Sequence, residues 1–185
     1  LHPLLRRQRQ MCIRDRSHAA GSVRGLIDRL ADGRHQLELD DGSRLQLAVG
    51  IDREMGGMTL DFSGTSPQHP GNLNAPLAVT RAVVLYVIRC LLKDDIPLND
   101  GCFSPITLIV PEGCLLNPQP PAAVVAGNVE LSQALCNLLF GAFGVLAAGQ
   151  GTMNNLSFGN DCSQYYETVA GGGGAGEGFN GSVGL

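Results

Sequence analysis

The sequence predicts an α+β fold with an antiparallel β-meander, two largely buried helices and further strands. Three observations predict this fold. Residues 35–62 alternate apolar and polar side chains in three runs, and an Asp-Gly pair at residues 41–42 separates the first two. Apolar runs of helical length follow at residues 76–92 and 128–147. Shorter candidate strands lie at residues 106–110, 153–158 and 164–169.

Both helices have recognisable starts. Pro76 suits the first turn of the first helix, and Asn74 is placed to cap it. Asn128 is the expected cap of the second helix, where Glu130 in the first turn favours the positive end of the helix dipole. Gly141 and Gly144 lie inside the second helix, so we expect a closely packed neighbour at both positions.

Composition excludes several classes of function. The chain has 185 residues, of which 44% are hydrophobic and 16% charged, so it holds enough apolar surface for a core. Residues 1–34 carry eight of the 13 basic residues but only three of the 17 acidic ones, so the rest of the chain is acidic. Because tryptophan is absent and aromatic residues are only 5%, we expect no nucleic-acid partner.

The apolar and cysteine patterns indicate a cytoplasmic protein. The longest apolar run, residues 134–148, is interrupted by Asn137 and is shorter than the roughly 20 residues that a bilayer needs, so we expect no membrane partner. The six cysteines include no CxxC pair, and no signal-peptide pattern precedes them. These features favour free thiols in a reducing compartment over disulfides or a zinc site.

Polar side chains next to the apolar elements indicate a pocket for a small molecule. Amides and hydroxyls supply both donors and acceptors, as recognition of a cyclic amide, a carboxylate or a phosphate requires. Glu130 and Glu167 are candidate general bases, and Asn154 is a third candidate catalytic residue. The alternative is that such groups cap helices and tie down loops. The candidate substrate-binding residues are Ser63, Thr65, Asn128, Gln133, Thr152, Asn155 and Tyr166.

Two further features carry weaker signals. His69 is the one histidine that we consider as a ligand or base, and a solvated loop residue is the alternative. GGGGAG at residues 171–176 satisfies the dinucleotide pattern G-x-G-x-x-G, but the EGFNGSVGL that follows is a poor helix former. We therefore expect a flexible or tightly turning segment there and not a nucleotide loop.

Three blocks of sequence resemble the hydantoinase B/5-oxoprolinase family. They are MTLDFSGTSPQHPGNLNAPLAVTRAVVLYVIRCLL, DIPLNDGCFSPITLIVPEGCLLNPQPPAAVVAGNVELSQ, and GQGTMNNLSFG with YYETVAGGGGA. The blocks keep the order and spacing of the family and cover about residues 55–176. The resemblance implies an internal fragment of a larger hydantoinase B-type subunit, as found in N-methylhydantoinase and in the acetone and acetophenone carboxylases.

The resemblance also implies an activity. In this family an A-type partner subunit uses ATP to phosphorylate a cyclic amide such as 5-oxoproline or N-methylhydantoin. The B-type subunit then opens the ring of the phosphorylated cyclic amide, which makes the parent a hydrolase of carbon–nitrogen bonds. The alternatives are the B-type subunit of an ATP-dependent ketone carboxylase and a non-catalytic assembly domain.

Cofactors are expected outside this chain. The resemblance implies that ATP binds at the A-type partner and that this fragment itself binds no cofactor. Any divalent metal would be held in the N-terminal half of the family's chain, upstream of the residues present here. We therefore assign no metal ligand.

The resemblance divides the chain into three parts. Residues 35–170 are expected to form the hydantoinase B-type core fragment, and residues 171–185 a truncated glycine-rich segment. Residues 1–34 do not resemble the family, and MCIRDR at residues 11–16 resembles a translated sequencing adapter from assembled environmental DNA. We expect residues 1–34 to be artefactual or a disordered arm. We also expect the isolated chain to be inactive and to fold marginally, because apolar helix faces would pack on other parts of the parent.

Overall fold

The computed structural model of the protein describes residues 3–93 and 95–184. Within those residues it contains three α-helices, a four-stranded mixed sheet and a separate two-stranded sheet, which confirms the predicted α+β class. The helices are α1 (Pro3–Ile27), α2 (Leu77–Leu91) and α3 (Leu131–Phe143). The strands are β1 (Gly33–Glu38), β2 (Arg44–Asp52), β3 (Gly57–Asp61), β4 (Ile106–Ile109), β5 (Asn155–Gly159) and β6 (Gln164–Thr168).

The larger sheet contains the predicted meander. Its strand order is β1-β2-β3-β4, in which β2 is antiparallel to both β1 and β3. The β1–β2 turn carries Gly42 at a φ of 82°, which glycine adopts without steric strain. β4 lies parallel to β3, and this pairing needs a crossover connection, which includes α2.

The hydrophobic core lies on one face of this sheet. Leu45, Leu47 and Val49 alternate along β2 with more exposed neighbours, as a strand with one covered face requires. α3 packs against β1 and β2 and also against α2. The largest contribution of α3 to the core comes from four fully buried leucines, Leu131, Leu135, Leu138 and Leu139.

α1 corrects the expectation of a disordered arm over residues 1–34. The helix spans Pro3–Ile27, and its second half belongs to the core. Met11 and Ile13, in its first half, are exposed. The folded core therefore begins before the expected boundary at residue 35, because apolar side chains recur here at helical spacing. Those buried side chains are Ala19, Ala20, Val23, Leu26, Ile27 and, just beyond the helix, Leu30.

Asn74 connects loops instead of capping α2 as the sequence predicted. α2 begins after Pro76 with no side-chain hydrogen bond at its cap. Asn74 is fully buried, and its Oδ1 accepts a hydrogen bond from the His69 N–H at 2.7 Å. Its Nδ2 donates to three carbonyl oxygens, those of His69, Gly71 and Ala123. One amide thus joins two loops that are 49 residues apart in sequence.

α3 also starts without its predicted cap. Asn128 lies in a short 3-10 turn, Val125–Asn128, that precedes the helix. Glu130 occupies the N-cap position, and its side chain makes no capping hydrogen bond. The helix ends at Gly144, whose φ of 66° is the left-handed conformation that commonly closes helices. It is therefore shorter than the sequence predicted, which extended it to residue 147.

Gly141 has the close neighbour that the sequence predicted, but the same prediction was wrong for Gly144, which ends α3 and where a methyl group would meet no described atom within 4 Å. A methyl group at Gly141 would lie 2.5 Å from Nε2 of His35 on β1. A methyl group at Gly33, where β1 begins, would lie 2.5 Å from the carbonyl oxygen of Ala142. The C-terminal half of α3 and β1 therefore approach each other more closely than side chains at these two glycines would allow.

β5 and β6 form an antiparallel hairpin outside the main sheet, and all of their residues are exposed. The glycine-rich segment that follows turns back on itself, with backbone bridges from Gly173 to Ser182 and from Gly176 to Phe179. Described residues 171–184 include no helix. The expectation of a tightly turning segment is therefore confirmed for these residues.

The cysteines follow the prediction of free thiols. All six lie within the described residues and none is paired. Cys102 and Cys114 are buried, whereas Cys90 on α2 is exposed despite its apolar surroundings in the sequence.

No helix that the structure describes has the length and hydropathy needed to span a bilayer.

The packing of α1 can be tested by two substitutions in the same helix. We expect Ile27→Ala to lower the free energy of unfolding by about 2–5 kcal/mol, because it removes a fully buried side chain. Ile13→Ala is the control, and we expect a change below about 0.5 kcal/mol because this residue is exposed. Urea denaturation of the full chain measures both values. Equal effects would show that α1 does not pack on the core.

Candidate active-site cleft

A cleft of about 750 Å³ lies between the β1–β2 turn, the start of α3 and the segment after α3. Asp41 lines it from the turn, Leu131 from the helix, and Gln150 and Thr152 from the segment after it. Its size and its mixture of apolar and polar walls suit a small molecule. The remaining lining residues are Leu37, Glu38, Leu39, Asp40, Leu73, Ala126, Glu130, Ala134, Asn137 and Gly151.

One side of α3 supplies this cleft with two polar side chains. Glu130, Ala134 and Asn137 all line it, and their spacing of four and three residues places them along one side of the helix. The leucines between and after them are fully buried in the core. Helical periodicity therefore presents a carboxylate and an amide to the cleft while the apolar side anchors the helix.

Thr152 joins Glu130 to the segment after α3. Its Oγ1 donates a hydrogen bond to Glu130 Oε1 at 2.9 Å and accepts one from the Asn154 N–H at 3.2 Å. The Thr152 hydroxyl thus receives a hydrogen bond from the chain and gives one to the Glu130 carboxylate. The Asn154 side chain donates to Gln150 Oε1 at 3.0 Å. Three predicted site residues, Glu130, Thr152 and Asn154, thus belong to one network.

The cleft is acidic. The backbone N–H of Ser43, 2.9 Å from Oδ1, holds the pKa of Asp41 below its usual range, and the Ser43 hydroxyl and His69 act in the same direction. Asp41 is therefore ionised at neutral pH. The described lining contains no lysine or arginine, so the cleft disfavours an anionic group and favours a neutral or cationic one. The lining carboxylates are those of Glu38, Asp40, Asp41 and Glu130.

His69 supports the rim of the cleft through both of its ring nitrogens. Nδ1 accepts a hydrogen bond from the Gly71 N–H at 2.8 Å. Nε2 lies 3.4 Å from Oδ2 of Asp41. These contacts tie the loop that contains His69 to the β1–β2 turn, which favours a structural role for this histidine.

Four other predicted residues lie outside the cleft. Asn128 and Gln133 line a separate groove of about 500 Å³ between α2 and α3. Thr65 is buried, and its hydroxyl accepts a hydrogen bond from the N–H of Gln46 on β2. Ser63 lines a shallow pocket beside β1 and β2. The structure therefore does not bring these four side chains together with Glu130.

The remaining predicted residues, Asn155, Tyr166 and Glu167, lie in the exposed β5–β6 hairpin. Asn155 Oδ1 accepts a hydrogen bond from the Tyr166 hydroxyl at 3.1 Å. The strand register places Glu167 on the opposite face of the hairpin, where its carboxylate accepts a hydrogen bond from Tyr165. That hydrogen bond raises the pKa of Tyr165. The two predicted general bases, Glu130 and Glu167, thus lie in separate parts of the structure.

Sequence reasoning did not select five polar residues of the cleft, namely Glu38, Asp40, Asp41, Asn137 and Gln150. Asp41 was visible only as a turn residue, and Gln150 only as one of several amides. Asn137 had a clearer signal, because it is the polar break in an otherwise apolar run. A polar side chain in such a run needs a hydrogen-bond partner, so the position of Asn137 within the run was the signal that could have identified it.

Metal binding is not indicated by the part of the chain that is described. Residues 3–93 and 95–184 contain no cluster of three or more His, Cys, Asp or Glu side chains arranged to hold a metal ion. The expectation that ATP and any divalent metal bind elsewhere in the parent assembly stays a prediction.

The fold and the cleft are those of a domain with room for a small molecule, and comparison with known proteins gives the family. The family described as Hydantoinase B/oxoprolinase matches residues 9–185. The chain belongs to this enzyme family. Because the match begins at residue 9, it also corrects the expectation that residues 1–34 are unmatched.

A relative of known name and two solved structures are similar to this chain. The chain is 50% identical to 5-oxoprolinase 1 of Arabidopsis thaliana over 147 residues, which is 80% of this chain but 12% of that protein. The crystal structure of the ATP-dependent caprolactamase from Pseudomonas jessenii matches with a TM-score of 0.69 and 21% identity, over 95% of this chain and 34% of that one. Nucleotide-free acetone carboxylase matches with a TM-score of 0.68 and 18% identity, over 86% and 26%. At these identities the two structures show the fold alone.

Cys136, in the groove between α2 and α3, can be tested as a nucleophile. Burial raises its pKa to about 11, with the neighbouring Cys90 adding to the shift. At pH 8 only about one thiol in a thousand would then be ionised. We expect iodoacetamide to label exposed Cys162 well before Cys136, and the Cys136 rate to rise steadily toward pH 11. Mass spectrometry of peptides measures both rates, and equal labelling at pH 8 would contradict this.

Proposed function

We propose that the chain is part of the B-type subunit of an ATP-dependent cyclic amide hydrolase of the 5-oxoprolinase or N-methylhydantoinase type. The observation that carries this proposal is the 50% identity to 5-oxoprolinase 1 over 80% of the chain. The chain spans 12% of that relative's length, so the activity proposed is that of the whole parent protein. In this proposal an A-type partner uses ATP to phosphorylate the amide oxygen, and the B-type subunit completes the reaction.

Glu130 is the general base of the proposed reaction. Water adds to the carbon of the O-phosphorylated amide, and its proton passes by way of the Glu130 carboxylate to the ring nitrogen. The proton of the new hydroxyl then passes to the nitrogen as the carbon–nitrogen bond breaks, which leaves an amine and an acyl phosphate. A second water hydrolyses the acyl phosphate to a carboxylate and phosphate. The Thr152 hydroxyl, 2.9 Å from Oε1, supports this role because it holds the carboxylate in one orientation.

The charge of the cleft limits how the substrate can lie. Ring opening releases an amine that takes up a proton at neutral pH, and the carboxylates that line the cleft are complementary to the ammonium group. The same carboxylates repel a phosphate. We therefore propose that cationic groups of the parent, outside this cleft, bind the phosphoryl group and, for 5-oxoproline, its carboxylate, while the amide nitrogen points toward Asp41 and Glu130.

The general base can be tested in the intact parent protein with its A-type partner. We expect Glu130→Gln to lower the kcat of ATP-dependent 5-oxoproline opening by about 10²–10⁴, because the proton acceptor is removed while the size is kept. Glu112→Gln, at an exposed glutamate in a turn away from the cleft, is the matched control and should keep full activity. Product formation with and without ATP measures both.

Further measurements on the same intact parent protein separate the alternative functions. Bicarbonate-dependent carboxylation of a ketone without amide hydrolysis would identify a ketone carboxylase. Full activity of Glu130→Gln would contradict the proposed base. Gel filtration measures the complex with the partner subunit. If a variant loses activity only in step with loss of that complex, the chain is an assembly domain.

The isolated chain is expected to be inactive. It spans a small part of its relatives, and the described residues offer no phosphate-binding loop followed by a helix and no metal cluster. We expect no ATP-dependent release of glutamate from 5-oxoproline above the rate without protein. Measurable turnover by this chain alone would refute the division of work between two modules.

A further inference from the structure

Asn137 is a polar side chain near the start of the apolar run of residues 134–148. It is half-buried on α3 and faces the cleft two helical turns after Glu130. An amide in such surroundings is costly unless its donor and acceptor both find partners. The partners that it finds indicate what the residue does.

Both functional groups of Asn137 bind the backbone of one residue, Gly149. Oδ1 accepts a hydrogen bond from the Gly149 N–H at 3.0 Å, and Nδ2 donates to the Gly149 carbonyl oxygen at 3.3 Å. Two hydrogen bonds to one residue fix the peptide groups on both of its sides. Asn137 therefore fixes where the chain begins its return along α3.

The returning segment, residues 149–152, spans the distance from Asn137 to Glu130. Seven residues of helix rise about 10 Å, and three residues of extended chain reach about the same distance. Gly151, at a φ of 67°, lies beside Asn137, since a methyl group there would be in ordinary contact with Nδ2 at 3.4 Å. The segment ends at Thr152, whose hydroxyl donates to Glu130.

We propose that Asn137 is a positioning residue for the reaction in this cleft. By holding Gly149 it keeps the Thr152 hydroxyl against Glu130 Oε1, and so fixes the direction of the carboxylate. Without the two hydrogen bonds between Asn137 and Gly149, residues 149–152 are released. Thr152 then moves away from Glu130, and the carboxylate rotates among its conformers. This inference rests on the proposed role of Glu130.

The first measurement is a double-mutant cycle in the intact parent with its partner subunit, ATP and 5-oxoproline. We expect Asn137→Ala to lower kcat about 10- to 100-fold, with KM changed less than about twofold, since a displaced base slows chemistry more than binding. The double variant with Glu130→Gln should be no slower than Glu130→Gln alone, because Asn137 acts through Glu130.

The second measurement detects the hydrogen bonds between Asn137 and Gly149 and does not depend on an activity assay. Hydrogen exchange of the peptide that contains Gly149 should accelerate about tenfold in Asn137→Ala, because the Gly149 N–H loses its acceptor. Asn117→Ala is the matched control, since this amide donates to the Val110 carbonyl outside the cleft. It should leave both the exchange of that peptide and kcat unchanged. Thr152→Val cuts the same connection at its other end and should reproduce the fall in kcat.

The outcomes are distinguishable. Full activity of Glu130→Gln overturns the proposed role of the cleft and this inference with it. If Glu130 is required, an Asn137→Ala variant with full kcat, or with a loss that adds to that of Glu130→Gln, overturns the positioning role alone. If Asn137→Ala fails to fold, Thr152→Val decides, and full kcat in that variant refutes the inference.

Discussion

The burial of one side of α3 against the sheet and α2 is the constraint on which the rest of the structure depends. Leu131, Leu135, Leu138 and Leu139 are fully buried, and each contributes about 1.5–3 kcal/mol of transfer free energy. A single hydrogen bond contributes about 1 kcal/mol. Packing therefore fixes the rotation of α3 and the direction in which Glu130 and Asn137 face. The hydrogen bonds of the cleft then refine positions that the core has already set.

The floor of the cleft depends on a second, polar constraint. Asn74 binds loops on both sides of itself, and the neighbouring Asn72 carbonyl accepts a hydrogen bond from the Ala126 N–H at 2.9 Å. Ala126 and Leu73 line the cleft. Buried loop backbone needs such partners, because it has no sheet or helix to satisfy it. A residue that resembles a helix cap in the sequence thus helps to position Leu73 and Ala126 in the lining of the cleft.

Local patterns predicted the elements of the fold well, and contacts between distant elements were beyond them. Alternation along residues 35–62 and the Asp-Gly turn gave the meander, since both signals are local in sequence. The parallel position of β4 and the packing of α1 depend on tertiary contacts. An arginine-rich composition masked the helical spacing of Val23 and Ile27 in α1.

The candidate site was predictable in part for the same reason. Glu130, Thr152 and Asn154 were selected as chemically suitable groups, and the structure joins them through hydrogen bonds. Glu167 was chosen on the same grounds, but the hairpin places it elsewhere. Residue type alone does not show which of the two glutamates lies in the cleft. The turn that returns the chain along α3 brings Thr152 to Glu130. That turn is held by Asn137, which in the sequence is only a polar interruption of an apolar run.

Hydrogen exchange of the intact parent, with and without a saturating cyclic amide and in the absence of ATP, tests the placement of the substrate most directly. We expect protection of the peptides that contain residues 37–41 and 150–152, because these segments form two walls of the cleft. Calorimetry of the same sample shows that the amide is bound. Bound amide with unchanged exchange in both segments, and protection confined to other parts of the parent, would contradict a substrate site in this cleft.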